Sequence, residues 1–131
     1  MADAAVSKNE QIVNEFIAAF GRLDLEGLMN FFTEDAVYHN MPWPPANGRA
    51  AIRQVLEGFF KDMGMISAKF EVRFQVVKGN IVMNERVDYL GVKDKKIALP
   101  VFGVFEIENG KIKAWRDYFD AETFNKELAA A

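Results

Sequence analysis

The sequence predicts an α+β fold in which N-terminal helices wrap a curved, mostly antiparallel sheet into a cone. Three observations support this prediction. Apolar residues recur at helical spacing in the first half of the chain, up to about Met63. From Ala68 onward, apolar and polar residues alternate as they do in a strand with one solvated face. Tight turns separate the later strands, which implies antiparallel hairpins. Such a cone would enclose a deep pocket with an open mouth.

Three helices are expected before the main part of the sheet. Ser7 and Glu10 have the spacing of a capping box, and an apolar stripe follows them. Asp24 can cap a second helix over residues 25–32. A third helix is expected over residues 50–63, where one side is apolar.

A short strand over residues 36–41 is expected between the second and third helices. It ends at Pro42, because proline has no N–H for a ladder. The remaining strands are expected over residues 68–76, 81–90, 97–108 and 111–119. Asn109 and Gly110 form the strongest hairpin signal, since both positions tolerate the positive φ of a type I′ turn. Asp120 can cap a terminal helix over residues 121–128.

Length and composition restrict the function classes. The chain has 131 residues, which suits one domain over residues 1–131, and half of them are hydrophobic. The net charge is −3 and no basic block is present, which argues against nucleic acid as a partner. No apolar run is long enough for a membrane span, and the first residues lack the layout of a secretory signal, so we expect a cytoplasmic protein. Disulfides are excluded by the absence of cysteine, and a histidine-rich metal site by the presence of one histidine, His39.

Five polar residues on three of the expected strands are candidates for a shared site. Tyr38 and Asn40 share one face of the short strand, because side chains alternate with period two. Arg86 and Asp88 share a face of the strand over residues 81–90, although both faces of that strand mix apolar and charged residues. Asp117 lies on the last strand. These five side chains are the candidate site.

If the five side chains converge in the cone, they form an acid–base apparatus. An arginine between two carboxylates can hydrogen-bond to both and keep them in different protonation states. One protonated and one ionised acid is what combined general acid and general base catalysis requires. Tyr38 and Asn40 could hold a water molecule against the ionised acid. Such a site activates water while it protonates a leaving oxygen, with no metal or cofactor.

Each residue also has an ordinary structural interpretation. Arg86 and Asp88 could form an exposed ion pair on a solvated sheet face. Asp117 could be an edge or turn acid, and Tyr38 and Asn40 the polar end of an amphipathic strand. We interpret His39, on the opposite face from Tyr38, as structural or solvent-facing. It is the joint occurrence of the five residue types that favours a functional site.

Three sequence strings carry a resemblance to a known family. YHNMPWPPANGR (38–49), NERVDYL (84–90) and GVFEIENGKIKAWRDYFD (103–120) resemble the limonene-1,2-epoxide hydrolases, and the resemblance extends from about Ile12 to Phe124. It implies the nuclear-transport-factor-2-like cone (a cystatin-like roll), which ketosteroid isomerases and SnoaL-like polyketide cyclases share. The implied reaction is the one-step addition of water to an apolar epoxide, terpene-like or cyclic, to give a vicinal diol. The implied assembly is a homodimer.

The same resemblance implies a role for each site residue. Asp88 would be the general acid to the epoxide oxygen, Asp117 the base on water and Arg86 the bridge between them. Tyr38 and Asn40 would help to position the water. The implied apolar substrate pocket is lined by Met63, Leu90, Leu99, Val101, Trp115 and Phe119.

Two other functions remain open from the sequence. The first is a ketosteroid-isomerase-like or polyketide-cyclase-like enzyme in the same cone, for which an arginine between two acids has no evident purpose. The second is a non-catalytic dimeric module that binds small molecules. Such a module would tolerate Asp88→Asn and Asp117→Asn, because the substitutions remove buried charge.

Overall fold

The computed structural model describes the backbone of residues 2–130 and the side chains of residues 8–130. Four helices are α1 (Ala2–Gly21), α2 (Leu25–Met29), α3 (Arg49–Glu57) and α4 (Ala121–Ala129). A π-helical turn, Gly58–Asp62, continues α3. The strands are β1 (Phe32–Asn40), β2 (Ala46–Asn47), β3 (Met65–Lys78), β4 (Ile81–Val92), β5 (Lys95–Glu108) and β6 (Lys111–Tyr118).

All six strands belong to one curved sheet with the order β2-β1-β6-β5-β4-β3. β1 runs parallel to β6, and every other neighbouring pair is antiparallel. Helix α1 packs on β3 and β4, α3 packs on β1, and α4 packs on β5. The predicted α+β fold, with helices against a mostly antiparallel sheet, is confirmed.

An aromatic cluster joins α1 to the concave face of the sheet. Phe16 is fully buried, and its ring meets those of Phe31 and Phe32 edge-on at 5.4 and 5.5 Å. Across the sheet it contacts Phe105 of β5 and Trp115 of β6, with the Trp115 ring centroid at 4.9 Å. Edge-to-face pairs of this kind add to the stabilisation from burial. The cluster therefore fixes α1 over the middle strands.

The turn at Asn109 and Gly110 and the helix caps have the geometry that the sequence predicts. Asn109 and Gly110 have φ values of 50° and 78°, as a type I′ hairpin requires. The side chain of Asp24 accepts a hydrogen bond from the Gly27 amide, and that of Asp120 accepts one from Thr123. The caps at α2 and α4 are thus confirmed.

The predicted start of α1 and the predicted end of α2 are wrong. α1 begins at Ala2, so Ser7 lies inside the helix and does not start it; the side chain of Ser7 is outside the described part of the structure. α2 ends at Met29, because Phe32 begins β1, pairs with Ile112 and is buried against Phe16. Tertiary packing here overrides a helical apolar pattern.

Two short elements were not predicted. The third helix ends at Glu57, and the π-helical turn Gly58–Asp62 takes its place up to Met63. After the proline segment, Ala46 and Asn47 pair with β1 as a two-residue strand. A strand of this length carries no periodic signal, so the pattern could not indicate it.

The alternation in β3 does not keep its apolar residues on one face. A β-bulge between Val72 and Phe74 adds one residue and reverses the direction of the side chains that follow. Phe74 and Val76 are consequently 52% and 45% exposed, and Gln75 points to the concave side, where it bonds to Asn84. The expectation that residues 68–76 present one continuous apolar face is therefore wrong beyond Val72.

No helix within residues 2–130 combines the length and the apolar character that a membrane crossing needs.

We expect Phe16→Ala to lower the free energy of unfolding by about 3–5 kcal/mol, since it leaves a cavity among five aromatic rings. Phe16→Leu keeps most of the volume and should lose clearly less. Urea denaturation followed by tryptophan fluorescence measures both. Equal losses for the two variants would show that the lost stability does not come from the cavity volume.

Candidate active site

A pocket opens on the concave side of the sheet, beneath the helices. Its polar lining consists of Tyr38, Asn40, Asp88 and Asp117. Every other lining residue is apolar. The predicted pocket residues that line it are Met63, Leu90, Leu99, Val101 and Phe119.

Arg86 lies at the centre of the polar groups and joins the two acids. Its Nε and Nη2 atoms donate to the two carboxylate oxygens of Asp88 at 2.7 and 3.1 Å. Nη2 also donates to Oδ2 of Asp117 at 2.6 Å. The side chain of Arg86 is 0% exposed, and those of Asp88 and Asp117 are 7% and 6% exposed. The alternative of an exposed surface ion pair is therefore wrong.

Strand register explains how Asp117 and Arg86 meet. One row of paired residues crosses five strands: Asn40, Asp117, Gly103, Asn84 and Gln75. Gly103 lies in the middle, and a Cβ atom there would be 2.3 Å from Nη1 of Arg86. Because glycine has no side chain, the guanidinium occupies that space and reaches Asp117 from the neighbouring row.

The remaining nitrogen of the guanidinium also has a partner. Nη1 donates to Oδ1 of Asn84 at 3.1 Å, and the guanidinium carbon lies 4.6 Å from the centre of the Phe70 ring. Within the described side chains, no buried polar atom lacks a hydrogen-bond partner. The charged centre is thus fully satisfied although it is removed from water.

Burial sets the protonation behaviour of the centre. It raises the pKa of Asp88 to about 6, against the opposing effect of the Arg86 charge. Burial also disfavours the charged form of Arg86, but the two carboxylates outweigh it, so the pKa of Arg86 rises and the cation persists. Burial and the nearby charge of Asp117 raise the pKa of Tyr38, which stays a neutral phenol.

Tyr38 and Asn40 approach Asp117 through the parallel pairing of β1 with β6. The Tyr38 hydroxyl donates to Oδ1 of Asn40 at 3.3 Å, and Asn40 is the register partner of Asp117. The Tyr38 ring stacks on Trp115 at 4.0 Å with an interplanar angle of 9°. All five predicted site residues therefore meet in one cluster.

Trp115 differs from its predicted place. It does not line the pocket; it is fully buried behind it, and its Nε1 atom donates to Oδ1 of Asp117 at 2.8 Å. A bulge opposite Glu106 and Ile107 inserts Lys113 into β6, so both Ile112 and Trp115 face the core. His39 lies outside the pocket lining, with Nε2 2.9 Å from the carbonyl oxygen of Trp43.

Several contributors were missed by the sequence analysis. The apolar wall also includes residues that were not predicted to line it: Phe20, Trp43, Phe59, Met65, Phe70 and Phe124. Gly103 and Asn84 complete the setting of Arg86. The signal for Asn84 was available, since it lies two residues before Arg86 and so shares its strand face.

The arrangement has a defined chemical capacity. One buried carboxyl group has a pKa of about 6 and can donate a proton, and a second carboxylate across the same cation can accept one. Within the described residues, no group of three His, Asp or Glu side chains is placed to bind a metal ion.

Comparison with known proteins identifies relatives with the same architecture. Residues 7–130 match the limonene-1,2-epoxide hydrolase catalytic domain. The epoxide hydrolase EphG of Mycobacterium tuberculosis is 30% identical over 118 residues, which are 88% of this chain and 76% of that protein.

Solved structures agree with the sequence match. A limonene-epoxide-hydrolase-like epoxide hydrolase from M. tuberculosis superposes with a TM-score of 0.81 at 26% identity, covering 94% of this chain and 90% of that one. A SnoaL-like polyketide cyclase fold from Shewanella putrefaciens superposes with a TM-score of 0.80 at 16% identity, covering 92% and 96%, and shows the fold alone. By the domain match and the identity to EphG, this chain belongs to the limonene-1,2-epoxide hydrolase family.

Proposed function

We propose that this protein, as one catalytic domain over residues 1–131, adds water to an apolar epoxide and releases a vicinal diol without a cofactor. The observation that carries the proposal is the buried Arg86 held between Asp88 and Asp117, whose side chains line a mostly apolar pocket. The family match and the epoxide hydrolase relative support the same reaction.

In the proposed mechanism the two acids act together in one step. Asp117 takes a proton from a water molecule, and the water oxygen attacks an epoxide carbon. The carbon–oxygen bond breaks as Asp88 gives its proton to the epoxide oxygen. The diol thus has the composition of the epoxide plus water, because Asp88 supplies one proton while Asp117 keeps the proton taken from the water. Proton return from Asp117 to Asp88 restores the site.

The other polar groups orient the reactants in this mechanism. Asn40 and the neutral phenol of Tyr38 hold the water beside Asp117, supported by the hydrogen bond between their side chains. Arg86 stabilises whichever carboxyl group is ionised, so its charge serves both before and after the proton transfers. Trp115 restrains Asp117 from behind.

The pocket wall favours an apolar epoxide, either terpene-like or cyclic. Met63, Leu90, Leu99, Val101 and Phe119 bind its hydrocarbon part and place the ring oxygen toward the polar lining. Apolar contacts are not directional, so this wall selects substrates by their size and shape.

A homodimer is part of the proposal and rests on the convex face of the sheet. Phe74, Glu85, Phe102 and Tyr118 form one cross-strand row there, in which the three aromatic residues are 36–52% exposed. Val76 lies in the next row and is 45% exposed. An apolar area on an open sheet face suits burial against a second copy of the chain.

The principal alternative is isomerase-like or cyclase-like acid–base chemistry in the same fold. SnoaL-like structures share the architecture at 16–18% identity, which supports the fold and not the reaction. The hydrolase mechanism requires a second acid that an arginine joins to the base. Proton transfer by a single base requires no second acid.

We expect Asp117→Asn to reduce diol formation from limonene oxide and cyclohexene oxide by at least about 100-fold, because an amide cannot accept the proton of water. Asp120→Asn is the matched control: Asp120 is an exposed helix cap, and asparagine also caps helices. It should retain activity within about twofold. Full activity of folded Asp117→Asn protein would contradict the proposed base.

The rate of epoxide hydrolysis should depend on the protonation of the Asp88 carboxyl group. The groups that face this carboxyl group are Arg86, Asp117 and Tyr38. The Asp88 pKa of about 6 means that the protonated acid becomes scarcer above that pH, so kcat/KM should fall about tenfold per pH unit there. A pH series of initial rates between pH 5 and pH 9 measures this. Constant kcat/KM across that range would exclude Asp88 as the acid.

Sedimentation velocity should show that the wild-type protein is a dimer. Phe102→Glu should raise the dissociation constant of the dimer by at least about tenfold, because the substitution buries a charge in the proposed interface. Lys61→Glu, on the exposed π-helical turn, is the control for a charge change elsewhere. A wild-type protein that sediments as a monomer at micromolar concentration would refute the dimer.

A further inference from the structure

Asn84 is a buried polar residue that the catalytic scheme above leaves without a role. It is 0% exposed and does not line the pocket. Its Oδ1 atom accepts from Nη1 of Arg86 at 3.1 Å, and its Nδ2 atom donates to Oε1 of Gln75 at 3.0 Å. Both ends of the amide are therefore in use, which fixes its orientation.

The guanidinium of Arg86 has a matched contact on each side of Gly103. Asp117 and Asn84 are the register partners of Gly103 on its two neighbouring strands. A Cβ atom on Gly103 would lie 3.0 Å from Oδ1 of Asp117 and 3.1 Å from Oδ1 of Asn84. Asn84 thus occupies the position that mirrors Asp117, with an amide in place of a carboxylate.

We propose that Asn84 is a positioning residue for epoxide hydrolysis: it holds Nη1 of Arg86 so that the other nitrogens stay on Asp88 and Asp117, and its neutrality keeps the arginine charge for those two acids. The inference rests on the proposed function. It assigns Asn84 no contact with substrate or water.

The neutrality of the amide follows from the charge of the centre. One cation faces two acids here, and Asp88 needs a proton for its proposed role. A third carboxylate at position 84 would draw on the same cation, and its charge would further disfavour the ionised form of Asp88. An apolar side chain would instead leave the buried Nη1 atom without an acceptor, which is costly for a charged donor.

The β-bulge in β3 makes this contact available. Without the extra residue between Val72 and Phe74, the period of two would turn Gln75 to the convex face and Phe74 to the concave one. With it, Gln75 reaches Asn84, and its Nε2 atom donates to Oε2 of Glu10 and Oδ1 of Asn14 on α1 at 2.9 and 3.1 Å. The orientation of Asn84 is thus tied to α1 through a second amide.

Two substitutions separate the hydrogen bond from the charge. Asn84→Leu keeps the volume and removes the acceptor; we expect kcat to fall about tenfold while KM stays within about twofold, because Asn84 is outside the pocket. Asn84→Asp keeps the acceptor and adds charge; we expect the alkaline limb of the pH profile to move upward by roughly one pH unit.

Asn9→Leu is the matched control. Asn9 also donates a side-chain hydrogen bond, to the carbonyl oxygen of Gly79 at 3.0 Å, but it has no hydrogen bond to a group of the site. It should change neither kcat nor the pH profile.

A titration in the resting protein makes the test independent of turnover. Carbon-13 NMR of the Asp88 carboxyl group reports its protonation. The groups that face this carboxyl group are Arg86, Asp117 and Tyr38, and Glu10 lies farther away, on the other side of Gln75. The pH midpoint of the Asp88 titration should rise in both Asn84→Leu and Asn84→Asp and should not change in Asn9→Leu. If the wild type formed no diol, the proposed function would fail, while this titration would still decide whether Asn84 positions the centre.

An unchanged kcat in folded Asn84→Leu, with an unmoved Asp88 midpoint, would overturn the inference. If Asn84→Leu does not fold, Asn84→Asp and Gln75→Leu replace it. An unmoved Asp88 midpoint in Asn84→Asp, or an unchanged kcat in Gln75→Leu, would overturn the inference equally.

Discussion

The ion cluster of Arg86 with Asp88 and Asp117 is the constraint on which the rest of the structure depends. Three ionisable groups lie out of water, with side-chain exposures of 0%, 7% and 6%. Burial of such groups is unfavourable unless each charge is paired and each remaining donor is satisfied. The bidentate contact to Asp88, the contact to Asp117 and the acceptor from Asn84 meet this condition. The residues around the ion cluster permit this geometry.

The sheet supplies the geometry through its register. Gly103 leaves room for the guanidinium, and the parallel pairing of β1 with β6 brings Asn40 beside Asp117. Two bulges adjust the faces, one turning Gln75 inward in β3 and one placing Trp115 behind Asp117 in β6. The polar centre is therefore held by strands, whose positions are restrained by the aromatic cluster beneath α1. Rigid support of this kind suits a mechanism that needs two acids at a fixed separation.

The elements with strong local signals could be predicted from the sequence. The hairpin at Asn109 and Gly110 and the caps at Asp24 and Asp120 follow from local chemistry, and the structure has them. The five candidate site residues were identified by their residue types and a family resemblance, and the structure brings them together. Their catalytic roles remain part of the proposal.

The missed features share a physical reason. A bulge changes the direction of side chains without changing composition, so alternation in β3 could not show that Phe74 turns outward. The contribution of Gly103 is an absence of atoms, which becomes visible only when a neighbouring strand places Arg86 above it. In β4, both faces mix apolar and charged residues, and only the packing of α1 and the helices around it decides that Asn84 and Arg86 point inward.

The proposed role of Asp117 is to activate water and not to attack the epoxide itself. Its most direct test is a single turnover with enzyme in excess in water enriched in oxygen-18, followed by mass spectrometry of the diol and of the peptide that contains Asp117. We expect one oxygen-18 atom in the diol of the first turnover and none in the peptide. Unlabelled diol with oxygen-18 in the Asp117 carboxylate would show a covalent ester intermediate and would contradict this role.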